Sequence, residues 1–302
     1  MRCVGVLRVA LAALLGAGVV LPARPAPVAA AGFVERYPDT VAAMRGAGPP
    51  YADWAERGRR FLAFDPRGDG LAVEVVGDLA GADRIAVLVP GVGSTLRDFD
   101  RGLGGVARRA PAVQAAELHA ALRSANPGAR VAVLAWLGYD PPDGVLTAAG
   151  TTAARRGADA LSDLLAELAA RRPAARVTLV GHSYGALVVG LAARRAPAQV
   201  TDVVTLGGIG AGTDRADRLG RVRVWAAEAE TDWIRRVPQL RLPGLGHGIR
   251  PADPAFGARP LPVTRVSGHD RYLSPDAATL DAVASVVLTG TADATTADGA
   301  AR

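Results

Sequence analysis

Residues 177–186 read Val-Thr-Leu-Val-Gly-His-Ser-Tyr-Gly-Ala, so an apolar strand signal runs straight into Gly181-x-Ser183-x-Gly185. Leu187, Val188 and Leu191 then follow at helical spacing. A strand that turns directly into a helix leaves little room at the bend. Glycine at 181 and 185 lets the two elements pass at close range, and Ser183 stands on a turn sharp enough to hold its hydroxyl clear of the backbone. Gly-x-Ser-x-Gly also arises by chance in a chain with 36 glycines. The flanking strand and helix are what make it specific.

Composition removes competing chemistries. The 302 residues contain no lysine, so all 35 basic Lys+Arg positions are arginine. That excludes a Walker A lysine, a pyridoxal Schiff base and a Ser-x-x-Lys acylating centre. The one cysteine is Cys3, which leaves no Cys-His nucleophile and no disulfide once an export segment is removed. Pro90-Gly-Val-Gly-Ser-Thr95 is glycine-rich, yet position 96 is leucine where a dinucleotide fingerprint needs glycine. The net charge of +6 and pI near 10.3 come from arginines scattered without interleaved aromatics, which argues against nucleic acid as a partner. No cofactor and no metal are expected.

The pattern along the chain predicts three segments. Residues 1–31 read as a secretory signal peptide: Arg2 and Arg8 precede an uncharged apolar run, Val9 to Leu21, and small residues follow up to Ala31. That run is short for a bilayer span, so the expectation is a secreted protein with no span after cleavage, an anchored form being the alternative. Residues 32–290 form one catalytic domain and 291–302 a patternless, disordered tail. Within the domain, Phe33 to Arg60 reads as a helical lead-in, and Arg60 to Phe64 with Leu71 to Val76 as a hairpin. Apolar strands are expected at Ile85 to Val89, Val131 to Ala135, Val177 to Val180, Val203 to Leu206, Val222 to Ala226 and Val263 to Val266. Such β-branched runs suit a mostly parallel sheet covered by helices on both faces. Leu161, Leu164, Leu165 and Leu168 mark one helix face. A last helix is expected with Ser274 as N-cap, Pro275 at its first position and Gly290 beyond its end.

A strand, a Gly-x-Ser-x-Gly turn and a helix make the nucleophile elbow of the α/β-hydrolase fold, in which the acid and the base follow the serine in chain order. Of the four histidines, His269 lies after the last expected strand and before the final helix, where that order places the base. His119 precedes the serine. His182 lies inside the elbow, where packing beneath the turn is expected, and His247 sits in a Pro/Gly-rich stretch where it could line a pocket. The acid comes from the loop after Val222 to Ala226. Asp232 is preferred because Trp233 and Ile234 can pin it, with Glu228 the runner-up. The backbone N–H groups of Val92 and Tyr184 are the expected oxyanion donors.

Several runs together resemble the α/β-hydrolase family of high-GC Gram-positive bacteria catalogued as a domain of unknown function. They are Pro90-Gly-Val-Gly-Ser-Thr95, Trp136-Leu-Gly-Tyr-Asp-Pro-Pro142, Val180-Gly-His-Ser-Tyr-Gly185, Leu206-Gly-Gly-Ile-Gly210, Trp225 to Asp232, Gly246-His-Gly248 and Gly268-His-Asp-Arg-Tyr272. The resemblance covers about residues 60–290 and implies the triad Ser183, Asp232 and His269. Tyr139, Asp140 and His247 are expected near the substrate, the alternative for Asp140 being to cap the Pro141-Pro142 turn. The short link from Leu206 to Val222 leaves no room for a large cap domain. The expectation is a monomeric, secreted serine hydrolase acting on a small or surface-attached carboxylic ester through an acyl-enzyme on Ser183. The alternatives are an amidase or thioesterase, or an inactive hydrolase fold that serves as a surface or partner-binding module.

Overall fold

The computed structural model describes residues 36–144, 146–242 and 244–292. The signal peptide expected at 1–31, and all of the expected tail beyond Ala292, lie outside the described residues. Among these residues ten strands form: β1 (Arg60–Asp65), β2 (Leu71–Gly77), β3 (Arg84–Val89), β4 (Val131–Leu137), β5 (Arg176–His182), β6 (Val200–Leu206), β7 (Arg223–Ala227), β8 (Arg241–Leu242), β9 (Leu245–Gly246) and β10 (Arg259–Pro260). Six α-helices accompany them: α1 (Tyr37–Ala47), α2 (Tyr51–Glu56), α3 (Pro111–Ala125), α4 (Thr152–Arg171), α5 (Gly185–Ala193) and α6 (Ala278–Thr289).

Eight strands form one sheet in the order β1-β2-β4-β3-β5-β6-β7-β10. The β1–β2 and β2–β4 pairs are antiparallel; every pair from β4 through β3 to β10 is parallel. Side-chain alternation explains why both faces are covered. On β4, Ala132, Leu134 and Trp136 enter one core while Val131, Val133, Ala135 and Leu137 enter the other. The first core is closed by Leu161, Leu165 and Leu168 of α4 and by Leu187 and Val188 of α5. The second is closed by Met44 of α1, Trp54 of α2, Leu118 and Leu122 of α3, and Leu280 and Val283 of α6. Each such aliphatic side chain contributes about 1.5–3 kcal/mol through the water it leaves. A strand with two apolar faces has no solvent side, and its sequence therefore reads as a continuous apolar run.

Two expectations at the C-terminal end differ from the structure. No strand forms at Val263 to Val266; those residues make a turn, closed by the Val266 N–H on the Val263 carbonyl at 3.0 Å, with Arg265 at φ 62°. The edge pairing occurs earlier, where β10 meets Trp225 and Ala226 of β7 and the Leu261 N–H reaches the Ala226 carbonyl at 2.8 Å. Pro260 and Pro262 have no N–H to donate, so the edge strand stops almost where it starts. Likewise Ser274 does not cap α6. The helix begins at Ala278, behind tight turns at Ser274 and Ala277, and ends as expected at Gly290 in the left-handed region. Between β6 and β7 the chain makes only a short 3₁₀ turn, Ala216–Leu219, so no cap domain stands over the sheet there.

Candidate active site

The parallel strands bring the ends of β3, β4, β5, β6 and β7 to one edge of the sheet, where open α/β sheets hold their ligands. Ser183 follows β5 with φ 54°, a backbone conformation rare for a residue with a side chain. Its N–H is held by the Leu206 carbonyl at 2.9 Å, so the turn is fixed from the β6 side. The tightness of the bend accounts for the glycines beside it. A Cβ on Gly181 would come within 2.6 Å of the Gly185 carbonyl oxygen, and one on Gly185 within 2.2 Å of the Val89 carbonyl oxygen. The turn after β3 crosses directly over the serine: a Cβ on Gly91 would lie 2.8 Å from the Ser183 Cβ and 3.3 Å from its Oγ. Val92 and Tyr184 flank that contact, and neither N–H is paired with another backbone group in the turns of the described residues.

Asp232 and His269 are brought together although 37 residues separate them. Both Asp232 oxygens lie 2.9 Å from His269 Nδ1. The Ile234 N–H donates to Oδ1 at 2.8 Å and the Tyr272 hydroxyl to Oδ2 at 2.5 Å. Burial by itself would raise the Asp232 carboxyl; the bonds from His269, Tyr272 and Ile234 outweigh it and hold the group below its ordinary range. An ionised carboxylate only accepts hydrogen bonds, so His269 carries its proton on Nδ1 and leaves Nε2 with a free lone pair. That Nε2 is buried and has no protein partner, so a hydrogen bond to the Ser183 hydroxyl is not closed. The backbone of Gly207, at φ 54°, forms the wall beside the pair, since a Cβ there would stand 2.7 Å from Asp232 Oδ2.

The histidine ring is held from two sides. Trp233 lies with its ring centre 4.6 Å away, and His182 with its ring centre 4.7 Å away. His182 is not simply packing beneath the elbow: its Nε2–H donates to the His269 backbone carbonyl at 2.7 Å. Burial first, and the neighbouring His269 second, push the His182 pKa down to about 4. An unfolded chain takes up a proton there as pH falls through about 6.5, whereas the folded protein resists until about 4. The resulting stability is complete above pH 6.5 and is lost on the way down to 4. Thermal melts should therefore show wild type losing at least ~4 °C more than His182→Asn between pH 7 and pH 4.5. Parallel pH slopes for the two proteins would contradict this.

Tyr272 did not stand out as a site residue in the sequence, and only its position three residues after His269 hints at it. Burial, then its bond to Asp232, raises the phenol far above its usual range, so it remains a donor; it also accepts the Ala229 N–H at 3.0 Å. Tyr272→Phe should lower turnover by about 10-fold at unchanged KM, and shift the acidic limb of the pH profile, because Asp232 loses a donor. A uniform loss with no change in the profile would reduce Tyr272 to packing.

The other expected site residues border the elbow or the loops around it. Tyr139 is buried, stacks on Trp136 at 5.7 Å and donates its hydroxyl to the Pro90 carbonyl at 2.8 Å. It therefore pins the turn that crosses over Ser183. Asp140 is exposed, and partial burial beside Asp69 and Asp143 raises its carboxyl. His247 is buried, with Nε2 2.6 Å from the Ala148 carbonyl and its ring edge-on to Tyr184 at 5.9 Å. Glu228, the runner-up acid, is committed to Arg250 at 2.8 Å and Arg235 at 3.3 Å. Asp270, beside His269, pairs with Arg109 at 2.7 Å.

Comparison with known proteins fits this geometry. A family profile described as alpha/beta hydrolase matches residues 65–242, more than half of the chain. An uncharacterized protein of Mycobacterium tuberculosis is 38% identical over 164 residues, which cover 52% of this chain and 59% of the relative. A second from the same organism is 31% identical over 226 residues, covering 66% of this chain and 33% of the relative. The chain thus spans about three fifths and one third of the lengths of these two relatives. Among solved structures, the lidless a/b serine hydrolase XC6422 of Xanthomonas campestris matches with a TM-score of 0.41 and 14% identity over 77% of this chain and 93% of that one. Esterase PE8 matches with a TM-score of 0.47 and 18% identity over 72% of this chain and 98% of that one. Strand order, elbow and profile agree: the chain belongs to the alpha/beta hydrolase family.

Proposed function

We propose that the protein is an exported serine hydrolase that cleaves carboxylic esters through an acyl-enzyme on Ser183. The observation that carries this reading is the buried Asp232–His269 pair, with both carboxylate oxygens 2.9 Å from Nδ1, at the sheet edge that also presents Ser183 at φ 54°. The ionised carboxylate fixes the tautomer that leaves His269 Nε2 as a base. In the reaction, Nε2 takes the hydroxyl proton as Ser183 Oγ adds to the ester carbonyl. The oxyanion accepts the Val92 and Tyr184 N–H groups, and the imidazolium is stabilised by Asp232. Collapse expels the alcohol, which leaves with the proton from His269. Water, activated by the same nitrogen, then releases the acid.

The depth of the oxyanion term is set by rigidity. Tyr139 holds Pro90 and Gly91 abuts Ser183, so the donors need not reorganise as charge develops. Nitrophenyl acetate and butyrate supply the test. Steady turnover preceded by a burst of nitrophenol is expected at mild alkaline pH; complete absence of ester cleavage by folded protein would overturn the reading.

A further inference from the structure

All five large apolar side chains that stand exposed among the described residues are leucines: Leu103, Leu146, Leu240, Leu242 and Leu245. They lie on the segments that follow β3, β4 and β7, and because these strands run parallel to β5, those segments leave the sheet at the edge that carries Ser183. Register places two of them together: in the antiparallel β8–β9 ribbon Leu242 is opposite Leu245 on one face, and exposed Leu240 adjoins them just before β8. Arg241, on the opposite face, ties the ribbon to the body through Asp214 and the Gly212 and His247 carbonyls. Leu245 also bridges to Gly150, which brings in Leu146, 94% exposed in the same loop. The ribbon ends in His247, whose ring touches Tyr184 beside the nucleophile.

From this arrangement we infer that the leucine face of β8–β9 with Leu146 is a docking surface for a lipid bilayer that contains anionic phospholipid. Charge selects that occupant. Residues 235–250 carry Arg235, Arg236, Arg241 and Arg250 and no carboxylate of their own; Glu228 serves Arg235 and Arg250, Asp214 serves Arg241, and Arg155 and Arg156 open α4 behind a loop that holds Asp140 and Asp143, so arginines outnumber the carboxylates around this face. Arg155, Arg156 and Arg236 are exposed. Apolar side chains set among arginines match a surface that is oily below and negative above. No helix among the described residues is long and apolar enough to cross a membrane. Docking on this face turns the Ser183 edge toward the bilayer, and the substrate class becomes an acyl ester seated in a lipid layer. The substrate part rests on the ester-hydrolase reading; the surface does not.

Sedimentation with vesicles of phosphatidylcholine plus phosphatidylglycerol, and of phosphatidylcholine alone, tests the surface. Full-length protein should bind the mixed vesicles, and less as salt rises. Leu240→Ser/Leu242→Ser/Leu245→Ser should bind at least ~10-fold more weakly, and Leu146→Ser, which touches no paired strand, several-fold more weakly. Ser183→Ala should bind as wild type does. The inference is overturned if wild type ignores mixed vesicles at low salt, or if folded leucine variants bind undiminished. It is equally overturned if the face instead joins two copies of the chain, seen as a dimer that leucine substitution splits. Vesicle binding without cleavage of soluble nitrophenyl esters would sink the catalytic reading alone, and cleavage without vesicle binding would sink the surface alone.

Discussion

Turnover of a soluble nitrophenyl ester is expected to fall by ~10⁴-fold or more in Ser183→Ala and in His269→Ala, and no further in the double variant. On the proposed mechanism the two groups act in one proton transfer. Without the hydroxyl there is nothing for His269 Nε2 to deprotonate, and without that nitrogen the hydroxyl stays protonated and weakly nucleophilic. What survives in each variant is what the Val92 and Tyr184 N–H groups and substrate binding supply, and that remainder is common to all three proteins. Additive losses in the double variant would mean that Ser183 and His269 act in separate steps. Ser183 tolerates alanine structurally, because it makes no side-chain bond that holds the turn, which is fixed through its backbone N–H on Leu206; for His269→Ala, which removes the partner of buried Asp232, a thermal melt accompanies the rate.

The second large effect belongs to the acid. Asp232→Asn should lower turnover by ~10²–10⁴-fold with KM little changed, because the amide cannot stabilise the imidazolium and can donate to Nδ1, favouring the wrong tautomer. Glu228→Gln should leave turnover within ~10-fold, since Glu228 serves Arg235 and Arg250 and no histidine. Its cost should appear in the thermal melt, where two arginines lose their common partner. A crippled Glu228→Gln enzyme beside a near-normal Asp232→Asn enzyme would move the acid to position 228.

These predictions lean on residues of unequal legibility. The elbow was readable because everything it needs lies within ten consecutive residues, and the apolar strands because burial on both faces leaves a continuous run. The choice between Asp232 and Glu228 was not settled by the chain alone, since what distinguishes them is partners far away: Tyr272 and His269 for one, Arg250 for the other. The same holds for Tyr139. Its place at the end of β4 suggested a pocket, and only the Pro90 carbonyl, 49 residues earlier, shows what its hydroxyl holds. The edge strand was misplaced at Val263 to Val266 because apolar composition registers there, while the missing N–H groups of Pro260 and Pro262 decide how far an edge can pair.

The central claim, that Ser183 is a nucleophile activated by its surroundings, is tested most directly by intact-mass measurement after incubation with a fluorophosphonate. The account predicts one adduct per chain, located on the peptide that contains Ser183, formed by wild type and absent from Ser183→Ala. An adduct that persists in Ser183→Ala, or folded wild-type protein that takes up no probe, would contradict it.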